Sequence, residues 1–134
     1  MSAENVQIVK GIYRAFATGD VATVVGAMSP DIEWNEAENF PYSDGNPYHG
    51  PDAVLGGVFA RIGGEWDSFA VEPREFIDGG DTVVMTGRYT GAYKATGRPI
   101  NAQVAHFWTL AGGKVVQFQQ LVDTLAVARC TGAV

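Results

Sequence analysis

Residues 100–124, INAQVAHFWTLAGGKVVQFQQLVDT, read as one β-hairpin. Gly112-Gly113 fits the two-residue turn that favours positive φ at both central positions. With residue 111 facing residue 114, the pairing sets His106 opposite Gln119 and Ala102 opposite Asp123. Side chains alternate faces along a strand, so this register gathers Val104, His106, Trp108, Gln119, Leu121 and Asp123 on one face. A slip by one residue would scatter that set. His106 and Asp123 are its polar outliers. An imidazole and a carboxylate among apolar groups cost free energy unless they are satisfied, so the face is either a ligand pocket or a structural polar pair. The opposite face carries Ala105, Phe107, Val116, Phe118 and Val122, diluted by Gln103, Thr109 and Gln120.

Upstream, Val6, Val9, Ile12, Tyr13 and Phe16 recur at three- and four-residue spacing and predict a helix over Glu4 to Ala17. Gly19 suits its left-handed closing residue, and Asp20 suits the N-cap of a second helix whose stripe is Val21, Val24, Val25 and Met28. Ser29-Pro30-Asp31 breaks the pattern. A short strand over Ile32 to Glu36 follows, then a loop from Ala37 to Gly50. Pro51 opens a third helix that buries Val54, Leu55, Val58, Phe59 and Ile62. Beyond Gly63-Gly64 the period changes, and Trp66 to Ile77, Thr82 to Lys94, Ile100 to Ala111 and Lys114 to Asp123 read as four successive strands. Helices followed by an antiparallel meander predict an α+β fold in which the helices cover one face of a curved sheet. The other face is too apolar for water and is expected to be a homodimer interface.

A chain of 134 residues has room for one domain, spanning 1–134. No apolar run is long enough for a bilayer, and the start MSAENVQIVKGIYRAF lacks the basic head and apolar core of a secretion signal. A soluble protein of the cytoplasm is the expectation, with no membrane partner. The nine Lys and Arg are scattered singly in a chain of net charge −6, which argues against nucleic acid as a partner. Cys130 stands alone, so no internal disulfide forms. With only His49 and His106 as imidazoles, no metal site is expected, and no phosphate-cradling glycine motif calls for a nucleotide cofactor. No cofactor is expected.

Two helices joined by Gly19-Asp20, then SPDIEW, an aromatic loop, YHGPDAV, a helix and four strands ending in GGKVVQFQQLVDT together resemble the SnoaL-like branch of the nuclear transport factor 2-like superfamily. That superfamily also contains ketosteroid isomerases and limonene epoxide hydrolase. The resemblance covers nearly the whole chain. It implies a cone-shaped curved sheet wrapped around N-terminal helices, a pocket between the two, and dimerisation through the outer sheet. It also implies an aspartate acid/base at the end of the last strand with a histidine on the preceding one, places that Asp123 and His106 match. The isomerase pattern fits less well. Trp34 or Asn35 falls near the place of its proton-shuttling aspartate, and Ile100 to Leu110 holds no carboxylate, although Tyr13 matches its first-helix tyrosine. The hydrolase pattern fails at Arg88, which has no acidic neighbour on its strand.

Each candidate has two readings. Asp123 is a general base raised by desolvation or the cap of a last helical turn in LAVARC. His106 relays protons or is a satisfied core histidine. In the expected register it lies four residues from Asp123, about 13 Å, so a substrate or water bridges them. Trp34, Phe40, Tyr42, Phe59 and Trp108 line a pocket or simply pack a core, and Tyr13 and Gln119 join the candidate lining. Glu36 and Glu38, where a strand opens into EAENFPYSDGNPYHG, either replace the absent isomerase base or are solvated. The functional expectation is a small apolar organic ligand, and cofactor-independent isomerase or cyclase chemistry on a carbonyl compound. Its alternative is a binding protein without catalysis.

Overall fold

The computed structural model describes residues 2–134. Helix α1 (Ser2–Ala17) keeps the predicted stripe, burying Val9, Ile12 and Tyr13. Gly19 takes φ +71°, and Asp20 caps α2 (Val21–Gly26) by accepting from Thr23 N. This second helix ends before Met28, which opens strand β1 (Met28–Asn35) instead. The predicted loop holds a short 3-10 helix (Pro41–Gly45) and a two-residue strand β2 (Tyr48–His49) paired with β1. The third helix starts at Pro51 as expected and continues over 51–65, but its middle, Leu55–Phe59, is π-helical. That stretch departs from the 3.6-residue period, and Leu55, expected inside, is 38% exposed.

Strands β3 (Trp66–Gly79), β4 (Thr82–Tyr93), β5 (Pro99–Ala111) and β6 (Lys114–Val122) form the meander read from the sequence. The six strands lie in the order β2-β1-β6-β5-β4-β3 in one sheet. All pairs are antiparallel except β1 with β6, which run parallel. The sheet is therefore mainly antiparallel, as expected, with one parallel pair. The parallel pair arises because β1 lies between β2 and the last strand, β6, and runs in the same direction as β6. The helices cover its inner face, which is the predicted α+β cone.

The hairpin of 100–124 departs from the register expected of its sequence. Gly112 and Gly113 adopt φ +58° and +78°, and Ala111 faces Lys114 as expected. Between Thr109 and Leu110 the register then shifts, so that His106 faces Gln120 and Phe107 faces Gln119. One extra residue in β6 inverts every face beyond it. The cause lies in the apolar spacing. Val115 and Phe118 are both wanted inside, at 0% and 1% exposure, and they lie three positions apart. Val115 N also bonds Ala27 O, which draws the start of β6 toward β1. Phe118 and Gln120 therefore point inward, while Gln119, Leu121 and Asp123 do not share the face of His106. The chain closes on a helix (Thr124–Thr131) whose Val127 and Cys130 join the core.

Candidate functional site

A cavity of about 440 Å³ opens between the third helix, the end of α1 and the inner sheet face. Its walls are mostly apolar and rich in aromatic rings, with Phe16, Trp34, Phe59, Trp108 and Phe118 among them. Four polar side chains interrupt that lining: Glu36, Tyr89, His106 and Gln120. Apolar walls with a few fixed polar points suit a small organic ligand. A wider depression of about 730 Å³ lies on the outer side of the sheet, around Arg74, Glu75, Arg88, Leu121 and Asp123. No buried polar group faces it, so the inner cavity is the candidate site.

Glu36 carries the strongest signal. It follows β1, so alternation after Ile32 and Trp34 turns it inward, and it is 3% exposed. Its Oε2 accepts from Trp34 Nε1 at 3.1 Å. Its Oε1 is the one buried side-chain oxygen or nitrogen without a hydrogen-bond partner among the described residues. Burial raises the carboxyl from 4.5 to about 8, opposed by the Trp34 hydrogen bond. At neutral pH it is thus mostly a protonated acid. The backbone around it is pinned, since Asn46 Oδ1 accepts from Glu36 N at 2.9 Å and Asn46 Nδ2 donates to Glu36 O at 2.8 Å. The residue stands where the loop begins, and the sequence left it as either base or solvated surface. The strand–loop clasp that buries it depends on Asn46, ten residues later.

His106, on β5, sits between two tyrosines. The Tyr13 hydroxyl lies 2.6 Å from Nδ1 and the Tyr89 hydroxyl 2.6 Å from Nε2. Burial lowers the imidazole from 6.5 to about 3, which keeps it neutral. Desolvation likewise raises both phenols well above their ordinary range. Trp108 Nε1 donates to Tyr13 at 2.8 Å, and Gln120 Nε2 donates to Tyr89 at 2.7 Å. Gln120 Oε1 in turn accepts from Ala37 N at 3.0 Å, next to Glu36. His106 is therefore a fully engaged neutral bridge.

The predicted site residues divide accordingly. Trp34, Phe59, Trp108 and His106 line the cavity; Tyr13 stands behind His106, bonded to it but outside the lining. Phe40 and Tyr42 lie outside that lining; the Tyr42 hydroxyl donates to Glu65 and accepts from Trp66. Gln119 faces away and donates to Gln120 O, its place inside being taken by Gln120. Asp123 is exposed, and its Oδ1 accepts from Ala126 N at the start of the C-terminal helix. The structure does not bring it to His106. Asp123→Ala should lower stability by about 1 kcal/mol, the usual cost of a lost cap, and leave ligand affinity unchanged; chemical denaturation and a binding titration check both.

Tyr89 and Gln120 are residues that sequence reasoning missed. For Tyr89 the signal was parity, since Val83, Met85 and Tyr89 share one face of β4. For Gln120 no alternation could serve, because the bulge had already reversed it.

The SnoaL-like domain profile matches residues 9–118. Among solved structures, an NTF2-like protein from Burkholderia thailandensis E264 is 39% identical, covering 94% of this chain and 95% of its own, with a TM-score of 0.90. An NTF2-like protein of unknown function from Burkholderia pseudomallei K96243 is 28% identical over 96% and 97%, with a TM-score of 0.87. TerC, co-crystallised with polyporic acid, is 25% identical over 96% and 98%, with a TM-score of 0.85. No protein of curated function matches the sequence. A profile match over most of the chain, and a near full-length relative at 39% identity, agree with the cone fold, and the chain belongs to the SnoaL-like domain family.

Proposed function

We propose that the inner cavity binds a small, largely apolar ketone and that Glu36 moves a proton on the carbon beside its carbonyl, without a cofactor. The observation that carries this reading is the unpartnered, buried Oε1 of Glu36 in an aromatic cavity. A buried polar group left unpaired costs about 1–3 kcal/mol, and such groups cluster where a ligand completes them. A carboxyl raised to about 8 is close enough to neutrality to give and take protons. This proposal moves the acid/base role from Asp123, which caps a helix, to Glu36. It changes the role of His106 from relay to support, because both ring nitrogens are engaged. TerC, an example of a relative with a small organic molecule bound, supports the ligand class.

Acetylnaphthalene, a flat bicyclic ketone with an enolisable methyl, is a suitable probe. In heavy water the protein should bind it, seen by saturation transfer from protein to ligand, and replace its methyl hydrogens by deuterium faster than buffer does. Binding without accelerated exchange would instead identify a binding protein.

We further propose a homodimer through the outer sheet face. Phe118, expected there, is inside, but Ile77, Val84 and Phe107 face one another in a row across β3, β4 and β5, next to Thr86, Ala105 and Leu121. Ile77 is 47% and Leu121 51% exposed. The C-terminal helix contributes to the inner core and does not cover this row. Light scattering should give twice the chain mass, and Phe107→Glu should halve it. A monomeric wild type at micromolar concentration would contradict the proposal.

A further inference from the structure

The hydrogen bonds around His106 do not balance within the protein. A neutral imidazole offers one N–H and one lone pair. Its two nitrogens face two hydroxyls, so one phenol donates to the ring and the other accepts from it. Each phenol oxygen already accepts once, from Trp108 or from Gln120. The direction of the Gln120 bond is fixed, because its Oε1 is held by Ala37 N and only its amide N–H remains for Tyr89. Whichever phenol accepts from the ring therefore has both lone pairs filled and its own proton unplaced.

The two tautomers leave that proton in different surroundings. With the proton on Nδ1, the unplaced hydroxyl is that of Tyr13, packed among the rings of Phe16, Phe76 and Trp108 and absent from the cavity lining. That is a buried donor without an acceptor, costing about 1–3 kcal/mol. With the proton on Nε2, Tyr13 donates to Nδ1, and the unplaced hydroxyl is that of Tyr89. Tyr89 lines the cavity together with Glu36. The second arrangement is the lower in energy.

We propose that Tyr89 is the hydrogen-bond donor of the cavity: with His106 in its Nε2–H tautomer, the Tyr89 hydroxyl is free to donate to an acceptor oxygen of the ligand. For its ligand class this inference rests on the reading of Glu36 as proton carrier. Taken together they specify a ketone with an adjacent C–H bond. The Glu36 carboxylate removes that hydrogen as a proton, the C–H electron pair becomes the carbon–carbon π bond, and the carbonyl π pair moves onto the oxygen. Tyr89 bonds that oxyanion without giving up its proton. Return of a proton from Glu36 to carbon closes the cycle, with nothing oxidised or reduced. Tyr13, Trp108 and Gln120 are positioning residues, since they act through His106 and Tyr89. The donor chain of Trp108, Tyr13 and His106 points toward the cavity and strengthens as charge grows on the ligand oxygen.

Two measurements test the proposal. Heteronuclear NMR of the histidine ring nitrogens in the free protein should show His106 protonated at Nε2 and bare at Nδ1; protonation at Nδ1 overturns it, whatever any ligand does. Infrared spectroscopy of acetylnaphthalene with an isotope-labelled carbonyl should show the band shifted to lower frequency in wild type and in Glu36→Gln, and at its free value in Tyr89→Phe. Exchange in Tyr89→Phe should fall by about 10²–10³, as when one oxyanion donor is removed. A free-value band in wild type, or a shifted band in Tyr89→Phe, contradicts the role of Tyr89. A shifted band in wild type with exchange undiminished in Glu36→Gln contradicts the role of Glu36 and leaves that of Tyr89 standing.

Discussion

Glu36→Gln should lower proton exchange on an enolisable ketone by about 10²–10⁴, the usual contribution of a positioned acid or base, and leave ligand affinity within about threefold. The substitution is close to silent in shape. At neutral pH the wild-type carboxyl is mostly protonated, so it presents a donor group beside an acceptor oxygen, as the amide does. Gln keeps an oxygen for the Trp34 indole N–H, which donates at 3.1 Å. What it loses is the capacity to carry a proton. In wild type the exchange rate should rise with pH through about 8, as the carboxylate forms. Initial rates followed by proton NMR across that range decide the matter. A Glu36→Gln rate equal to wild type would remove Glu36 from the chemistry.

The same substitution should change how stability depends on pH, and by an amount large enough to read from denaturation curves. Glu36 titrates at about 8 in the fold against 4.5 in the unfolded chain. The folded state therefore holds a proton that the unfolded state has lost, and stability is lost as pH rises from 4.5 through 8. His106 works in the opposite direction, at about 3 in the fold against 6.5 unfolded. The unfolded chain takes up its proton first as pH falls, so stability is lost from 6.5 down through 3. Between 4.5 and 6.5 the two slopes cancel, and maximum stability lies there. Each single-proton slope is about 1.4 kcal/mol per pH unit. Glu36→Gln should flatten the decline between 6.5 and 8, expose the His106 slope between 4.5 and 6.5, and leave the slope between 3 and 4.5 as it is. Urea melts at successive pH values test this. Parallel curves for the two proteins would show that the carboxyl is not desolvated.

Local patterns in the sequence determine much of this site. The stripe of α1 places Tyr13 on the core side, and strict alternation in β5 places His106 and Trp108 on one inner face. The glycine pair sets its turn. The register beyond that turn was not legible from alternation, because the bulge exists to bring Val115 and Phe118 inside across an odd spacing. A spacing of three between apolar residues in a strand was its only sign. The error moved Asp123 onto the face of His106 and Gln120 off it. Glu36 illustrates a different difficulty. A carboxylate at a strand end is ordinarily solvated, and only the Asn46 clasp, ten residues on, and aromatic walls drawn largely from distant elements make this one buried. The parallel seat of β1 beside β6, which brings Ala37 N to Gln120 across 83 positions, is likewise a long-range fact.

The state of one carboxyl decides whether the cavity is equipped for proton transfer. Carbon NMR of the Glu36 carboxyl through a pH titration of the folded protein, assigned by its loss in Glu36→Gln, should show a single transition near 8. A transition near 4.5, the value of a solvated glutamate, would contradict the account.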